Sequence, residues 1–232
     1  MKCLVAVKSI PQQSPIAKIG QDKWVIDPFS EVAIERALQL QEAGLLSEVV
    51  AISVGEQEAA LRSALALGVN RAVRIAAAGD DGHNVARLLA DYIQQQPFEL
   101  LLLGKQSADT DNHQLPQRLA ALLGWPQFSG VDQLLIDQGH IIASGLTLGG
   151  RGQYVAAAPV VVSADLRLAA PRFASLPTLM KARRAPIEVL EVATAASSLT
   201  CLQQQATVIQ RQGTQLTELS QLAALLQQGG RS

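Results

Sequence analysis

Aromatic residues are scarce in this chain: Trp 2, Tyr 2 and Phe 4 make up 3% of 232 residues. So small a set leaves little with which to stack nucleobases. Lys+Arg 19 against Asp+Glu 20 give a net charge of −1, so no global field attracts a polyanion. A nucleic-acid partner is therefore not expected. Long apolar runs are missing as well. Mean hydropathy is high at +0.18, yet the longest apolar stretch, Val155 to Val162, is far short of the roughly 20 residues a spanning helix needs. The opening Met-Lys-Cys-Leu-Val-Ala-Val-Lys has too short an apolar run for a signal peptide and no small-residue cleavage site. The expectation is a cytoplasmic protein without membrane insertion, whose apolar excess serves a protein partner.

Cysteine is limited to Cys3 and Cys201 at opposite ends of the chain, with no CxxC spacing. Two packed thiols in a reducing compartment are expected. His83, His113 and His140 stand apart from one another and from cysteine, so no metal site is expected. GxSxG, HExxH, a Walker loop and a Ser-Gly-Gly pyrophosphate loop are all missing. Asp109 and Asp111 have no nearby nucleophile to serve as an acid–base pair. A catalytic site is not expected.

What is present is an alternation of short apolar runs and amphipathic stretches. Cys3 to Val7, Val49 to Val54, Ala72 to Ile75 and Leu100 to Leu103 read as strands buried on both faces of a parallel sheet. Helices lie between them. Asp27 is placed to cap one with Pro28 at its first position and Gly44 at its end; Glu56 to Leu67 precedes Gly68; Asp80 or Asp81 opens a third that runs to about Gln96. Strand alternating with helix predicts a doubly wound, mostly parallel α/β sheet. After Pro126, Val131 to Ile136, Ile141 to Ser144 and Tyr154 to Ala157 read as shorter strands. Asp137-Gln138-Gly139 and Gly149-Gly150-Arg151-Gly152 join them, and Pro159 to Ala164 follows as a buried strand. That glycine cluster precedes no helix, which argues for a hairpin turn over a phosphate loop. A nucleotide-binding α/β domain over residues 1–190 and a partner-binding arm over 191–232 are the expected units. From residue 193 on, the arm carries only Arg211, Glu218 and Arg231 as charges beside nine glutamines. Leu219, Leu222, Ala223 and Leu226 share a helical face, and Gly229 can end that helix.

In such a sheet ligands bind beyond the carboxyl ends of the strands, where strand order reverses. Three segments follow those ends: Lys8 to Gln13, Gly55 onward, and Gly104 to Gln117. The third is the most polar in the chain and leads into a helix near Pro116, whose free N–H groups suit a phosphate. Asp109 and Asp111 are expected to brace this loop or cap the helix.

Several blocks resemble the electron-transfer flavoprotein beta subunit family. They are Val5-Ala6-Val7-Lys8, Asp27-Pro28-Phe29-Ser30-Glu31, Leu65-Ala66-Leu67-Gly68, Leu103-Gly104-Lys105-Gln106, Ala164-Asp165-Leu166-Arg167-Leu168, Pro171-Arg172-Phe173-Ala174-Ser175-Leu176-Pro177 and Lys181-Ala182-Arg183-Arg184. The resemblance implies a Rossmann-like fold of the adenine-nucleotide alpha-hydrolase type and a heterodimer with an alpha subunit that holds most of the FAD. It implies a buried AMP in the beta subunit, and electrons taken from a flavin dehydrogenase, such as an acyl-CoA dehydrogenase, and passed to a quinone oxidoreductase. Carried over by position, the nucleotide contacts are Ala6, Asp27, Pro28, Phe29, Ser30, Val54, Gly104, Gln106, Asp109, Asp111, Asn112, His113, Gln114 and Leu115. The dehydrogenase contacts lie in the loop over 171–184. There Leu176 is the anchoring leucine, with Arg172, Lys181, Arg183 and Arg184 as steering charges.

The chain departs from the family pattern at informative places. Asp27 replaces an asparagine, and Leu115-Pro116 replaces Thr-Gly, which removes a hydroxyl and a backbone N–H from the anion site. Gly145 to Gly150 lacks the usual charges, Gln13 stands in place of an aromatic, and the arm is shorter. These changes argue against tight AMP retention. Two rival expectations stay open: a stand-alone adenine-nucleotide-binding or signalling domain, and a bifurcating type of beta subunit with FAD in place of AMP.

Overall fold

The computed structural model describes residues 1–12, 23–77, 81–192, 202–203, 213 and 215–229. Gln13, Asp80, Cys201, Arg211 and Arg231 lie outside them. The parallel strands are β1 (Lys2–Ala6), β4 (Glu48–Val54), β5 (Arg71–Ala76), β6 (Leu100–Gly104), β10 (Val160–Ala164) and β11 (Glu188–Glu191). A small antiparallel pair, β2 (Ser9–Pro11) and β3 (Trp24–Ile26), stands outside the main sheet, and β7 (Gln127–Asp137), β8 (His140–Thr147) and β9 (Gly150–Ala157) form a meander. The nine-stranded order is β11-β5-β4-β1-β6-β10-β7-β8-β9. Register runs Cys3 to Val49 on one side of β1 and Cys3 to Leu100 on the other, both parallel. The chain therefore winds outward from β1 in both directions, and the crevice of the fold lies beyond the ends of β1 and β6.

The expected strands are all present. Their alternating side chains divide the core into two layers. Cys3 and Val5 face one layer with Val32, Leu40, Leu61 and Ala64. Leu4 faces the other with Leu89, Ile93, Leu119 and Ala120. Continuous apolar runs are what a sheet covered on both faces requires. The helices doing the covering are α1 (Pro28–Glu42), α2 (Ala59–Leu67), α3 (Gly82–Gln94) and α4 (Leu115–Leu123).

Helix ends follow the sequence signals. The Asp27 carboxylate accepts the N–H groups of Phe29 and Ser30 at 2.9 and 3.3 Å. At the other end of α1, Gly44 takes φ +74°, and the N–H groups of Gly44 and Leu45 reach back to Gln41 and Leu40. Asp81 caps α3 through the His83 N–H at 2.8 Å. Helix α2 starts three residues later than expected, at Ala59. Its cap comes from a distant residue: Ser9 Oγ accepts the Ala60 N–H at 3.0 Å and donates to the Gln57 carbonyl.

Gln138 and Gly139 both take positive φ, the geometry of a tight hairpin turn, and Thr147 to Gly150 closes the next hairpin. Three elements were not anticipated from sequence: the β2–β3 pair, strand β11 and helix α5 (Leu176–Arg184). Without the family resemblance, the basic stretch of α5 reads only as a solvated helix end.

Backbone contacts divide the chain into Met1–Ser197 and Ser198–Ser232. In the second unit α6 (Leu219–Gly229) forms, with Leu219, Leu222, Leu225 and Leu226 exposed. Among the described residues no helix is long and apolar enough to cross a membrane. Leu102, fully buried at the centre of the sheet, should lose about 2–5 kcal/mol of stability as Leu102→Ala, read as a lower denaturant midpoint at unchanged slope.

Candidate functional site

The loop between β6 and α4 sits over the crevice, and the start of α1 closes one side of it. Asp27 knits the two together. Besides capping α1, its second carboxylate oxygen accepts the Ala108 N–H at 2.7 Å. Asp27 is wholly buried. Burial pushes its carboxyl above the ordinary value, against three N–H donors that pull it down. The end of β1 joins the same knot. The Asp27 N–H donates to the Lys8 carbonyl at 3.0 Å, and the Lys8 N–H donates to Ser30 Oγ at 3.2 Å. Lys8 Nζ reaches across to Asp109 at 2.7 Å and Ser107 at 3.3 Å.

The structure thus brings Ala6, Asp27, Pro28, Phe29, Ser30, Gly104 and Asp109 together around one knot, and places Val54 at the end of the neighbouring strand β4. Gly104 is there for space: a Cβ would stand 2.6 Å from Phe29 Cβ and 2.8 Å from the Gln106 carbonyl. Phe29 is buried, with Lys105 Nζ 5.9 Å from its ring centroid.

Asp109 and Asp111 do brace the loop, chiefly through side chains. Burial raises Asp109, but the Lys8 and Ser107 hydrogen bonds outweigh it, and the carboxyl ends below its ordinary value. Asp111 accepts from the Gln106 side-chain amide. Asp111 and His113 both take left-handed φ, near +50°, a conformation that an anchored loop can sustain. Asn112, His113 and Gln114 are exposed and Leu115 is half-buried. Gln114 accepts from Arg118 at 2.9 Å, and Arg118 lies 3.3 Å from His83 Nδ1. No side chain caps α4, and Pro116 supplies no N–H to its first turn.

This donor set decides how an external phosphate would fare. Lys8, the Ala108 N–H and the Gln106 amide are already paired with the chain's own carboxylates, and Pro116 subtracts a further donor. The first turn of α4 has no side-chain cap, and Arg118 beside it already donates to Gln114. These residues do not fit a tightly held nucleotide phosphate.

Lys8, Lys105, Arg118 and Asp165 belong to this neighbourhood, although sequence reasoning assigned them no site role. The signal for Lys8 was its place directly after β1. Lys105 Nζ pairs with Asp165 at 2.8 Å, and Arg167 Nε pairs with the same carboxylate at 2.7 Å. Arg167 also approaches Asp132, which Arg151 holds in a two-pronged pair. This chain of charges ties the end of β6 to the meander. On the meander itself lies a separate cavity of about 310 Å³, lined by Phe128, Ser129, Ala143, Leu146 and Tyr154. It contains none of the candidate residues.

The dehydrogenase-contact candidates lie elsewhere, on α5. Leu176 is 73% exposed at its first position, with Leu179 and Met180 also exposed. Lys181, Arg183 and Arg184 occupy its last turn, with no ion-pair partner among the described residues. Arg172, expected as a free steering charge, is instead held in ion pairs with Glu35 and Glu42.

A doubly wound, mostly parallel sheet with a loop-lined crevice where strand order reverses defines the Rossmann-like class of α/β protein. Within that class, this chain belongs to the electron transfer flavoprotein family: the model of the electron transfer flavoprotein domain matches residues 19–195. An electron transfer flavoprotein subunit beta of Bradyrhizobium diazoefficiens is 36% identical, over 83% of this chain and 82% of the relative. That of Sus scrofa is 34% identical over 86% and 85%, and the mitochondrial protein of Oryza sativa subsp. indica 37% over 79% of each. Similarity along most of the chain assigns it the beta-subunit role.

The charge chain makes an acid-stability statement. The Arg167 hydrogen bond, with Lys105 behind it, holds the Asp165 carboxyl well below its ordinary 3.8. A depressed carboxyl contributes stability that is fully present above the unfolded value and is lost as pH falls toward the folded one. Asp165→Asn should therefore cost about 1–3 kcal/mol at neutral pH and flatten the loss of stability below about pH 4, as seen in denaturant titrations at each pH.

Proposed function

We propose that this chain forms the beta half of a heterodimer whose alpha subunit holds most of the FAD. The complex collects electrons from a flavin dehydrogenase, such as an acyl-CoA dehydrogenase, and delivers them to a quinone oxidoreductase, and it works in the cytoplasm. The observation that carries this reading is the exposed leucine-bearing face of α5, on a helix with three cations that have no ion-pair partner among the described residues. A single apolar anchor ringed by charges suits a brief encounter, in which steering sets the on-rate and the leucine supplies the contact energy. A sensor or stand-alone nucleotide-binding domain has no use for such a face. Family membership over most of the chain supports the beta role over a stand-alone domain.

The chain contributes no catalytic group of its own. Its part is to assemble with the alpha subunit, to hold the crevice at the end of β1 and β6, and to present α5. AMP is held weakly at the loop over 104–115, because Lys8, the Ala108 N–H and the Gln106 amide already serve Asp109, Asp27 and Asp111. Ala6 and Val54 would line the adenine side, and the first turn of α4 would meet the phosphate.

Co-expression with an alpha subunit should yield a yellow complex. Nucleotides released from the denatured complex and identified by mass spectrometry should include FAD in equimolar amount, with AMP clearly below it. A colourless chain that binds no alpha subunit would contradict the carrier reading. Leu176→Ala in that complex should raise KM for the complex in dehydrogenase-driven reduction by about tenfold, the scale of a modest hot spot, with flavin content unchanged.

A further inference from the structure

Helix α5 poses a physical problem. It is nine residues long, shorter than an isolated helix can sustain in water, and of its side chains only Ala182 is buried. Helices usually persist by burying an apolar face, and this one turns its apolar residues outward. Something other than the core must order it.

Two arginines do so, one at each end. Upstream, Arg172 grips α1. Its Nε and one terminal nitrogen donate to the two oxygens of Glu35 at 2.7 and 3.0 Å, its backbone N–H donates to the same carboxylate at 3.2 Å, and Glu42 takes the remaining donors. Glu35 is itself only 4% exposed and receives the Gln39 amide at 2.9 Å, so the acceptor is fixed before the arginine arrives. Downstream, Arg62 of α2 donates from one terminal nitrogen to the Ala182 and Ala185 carbonyls at 2.9 and 2.6 Å. Its other nitrogens hold Glu58 at 3.1 and 2.9 Å. Both carbonyls lie at the C-terminal end of α5, where a cation is favoured, and that of Ala182 also accepts the Ala185 N–H. Between the anchors, Ser175 caps the first turn through the Thr178 N–H.

We infer that Arg62 and Arg172 are positioning residues that hold α5 preformed for docking, and that neither meets the partner as a steering charge. The inference rests on the docking role of α5 proposed above. Both guanidinium charges are matched by glutamates within the chain, which leaves steering to Lys181, Arg183 and Arg184. A helix ordered in advance avoids the entropy of ordering on encounter, so the anchors act on affinity for the dehydrogenase and little on turnover.

The test uses the assembled heterodimer. In Arg62→Gln and Arg172→Gln, backbone amides of residues 178–185 should exchange with deuterium about tenfold faster, as expected when charged hydrogen bonds holding a local segment are lost. Amides of β6 should not change. KM for the complex, with an acyl-CoA dehydrogenase and its acyl-CoA as the probe, should rise about as much, with kcat shifting far less. Arg62→Lys and Arg172→Lys, which keep charge but lose the planar fork, should fall in between and cover the case in which a Gln variant does not assemble. Leu176→Ala should raise KM without changing exchange. Unchanged exchange in both arginine series overturns the inference. So does faster exchange with unchanged KM while Leu176→Ala still raises it. If Leu176→Ala itself leaves KM unchanged, the docking role fails, and the exchange data alone then judge whether the anchors order the helix.

Discussion

A buried carboxylate holds the working end of this molecule together. Asp27 accepts three backbone N–H groups, two from the first turn of α1 and one from the loop after β6, while its own N–H returns to Lys8 at the end of β1. Three chain segments that are distant in sequence thereby meet where the winding of the sheet reverses. Burial makes an ion costly, and only a full set of donors keeps such a group in place. An amide in this position could accept through a single oxygen, so it could serve the helix or the loop with that atom but not span both as a carboxylate does.

Carboxylates meet matched donors at several other places in the chain. Lys8 meets Asp109, Lys105 and Arg167 share Asp165, Arg151 meets Asp132, and Arg172 meets Glu35 and Glu42. With 17% charged residues, the protein carries three cations in the last turn of α5, the helix that Leu176 opens, without an ion-pair partner among the described residues. Internal pairing at the crevice and open charge at the docking face are two outcomes of one composition. The first ties the loop after β6 to the start of α1, and the second gives a nearly neutral protein a local field.

Much of this was legible beforehand. Capping residues mark their helices through local geometry, so Asp27-Pro28, Gly44, Gly68 and Asp81 could be identified as helix ends from neighbouring residues alone. Uninterrupted Val, Leu and Ile runs mark strands buried on both faces, and all of those were found. The elements that escaped gave hydrophobic periodicity little to detect. Strand β11 is Glu-Val-Leu-Glu and exists because β5 offers it a parallel edge. Helix α2 begins where Ser9 caps it, which no reading of residues 55–60 reveals. Helix α5 lacks a buried stripe altogether, so periodicity had nothing to detect.

The sequence by itself determined the class of fold, because the alternation of apolar runs and capped amphipathic stretches is a property of neighbours along the chain. It also determined the family, through ordered blocks spread over most of its length. Only the tertiary structure decided what individual charges do. Arg172 and Arg62 are anchors, Asp27 is a clasp between segments, and Lys105 covers Phe29, because ion pairs and hydrogen bonds between residues sixty to more than a hundred positions apart depend on geometry that no spacing encodes.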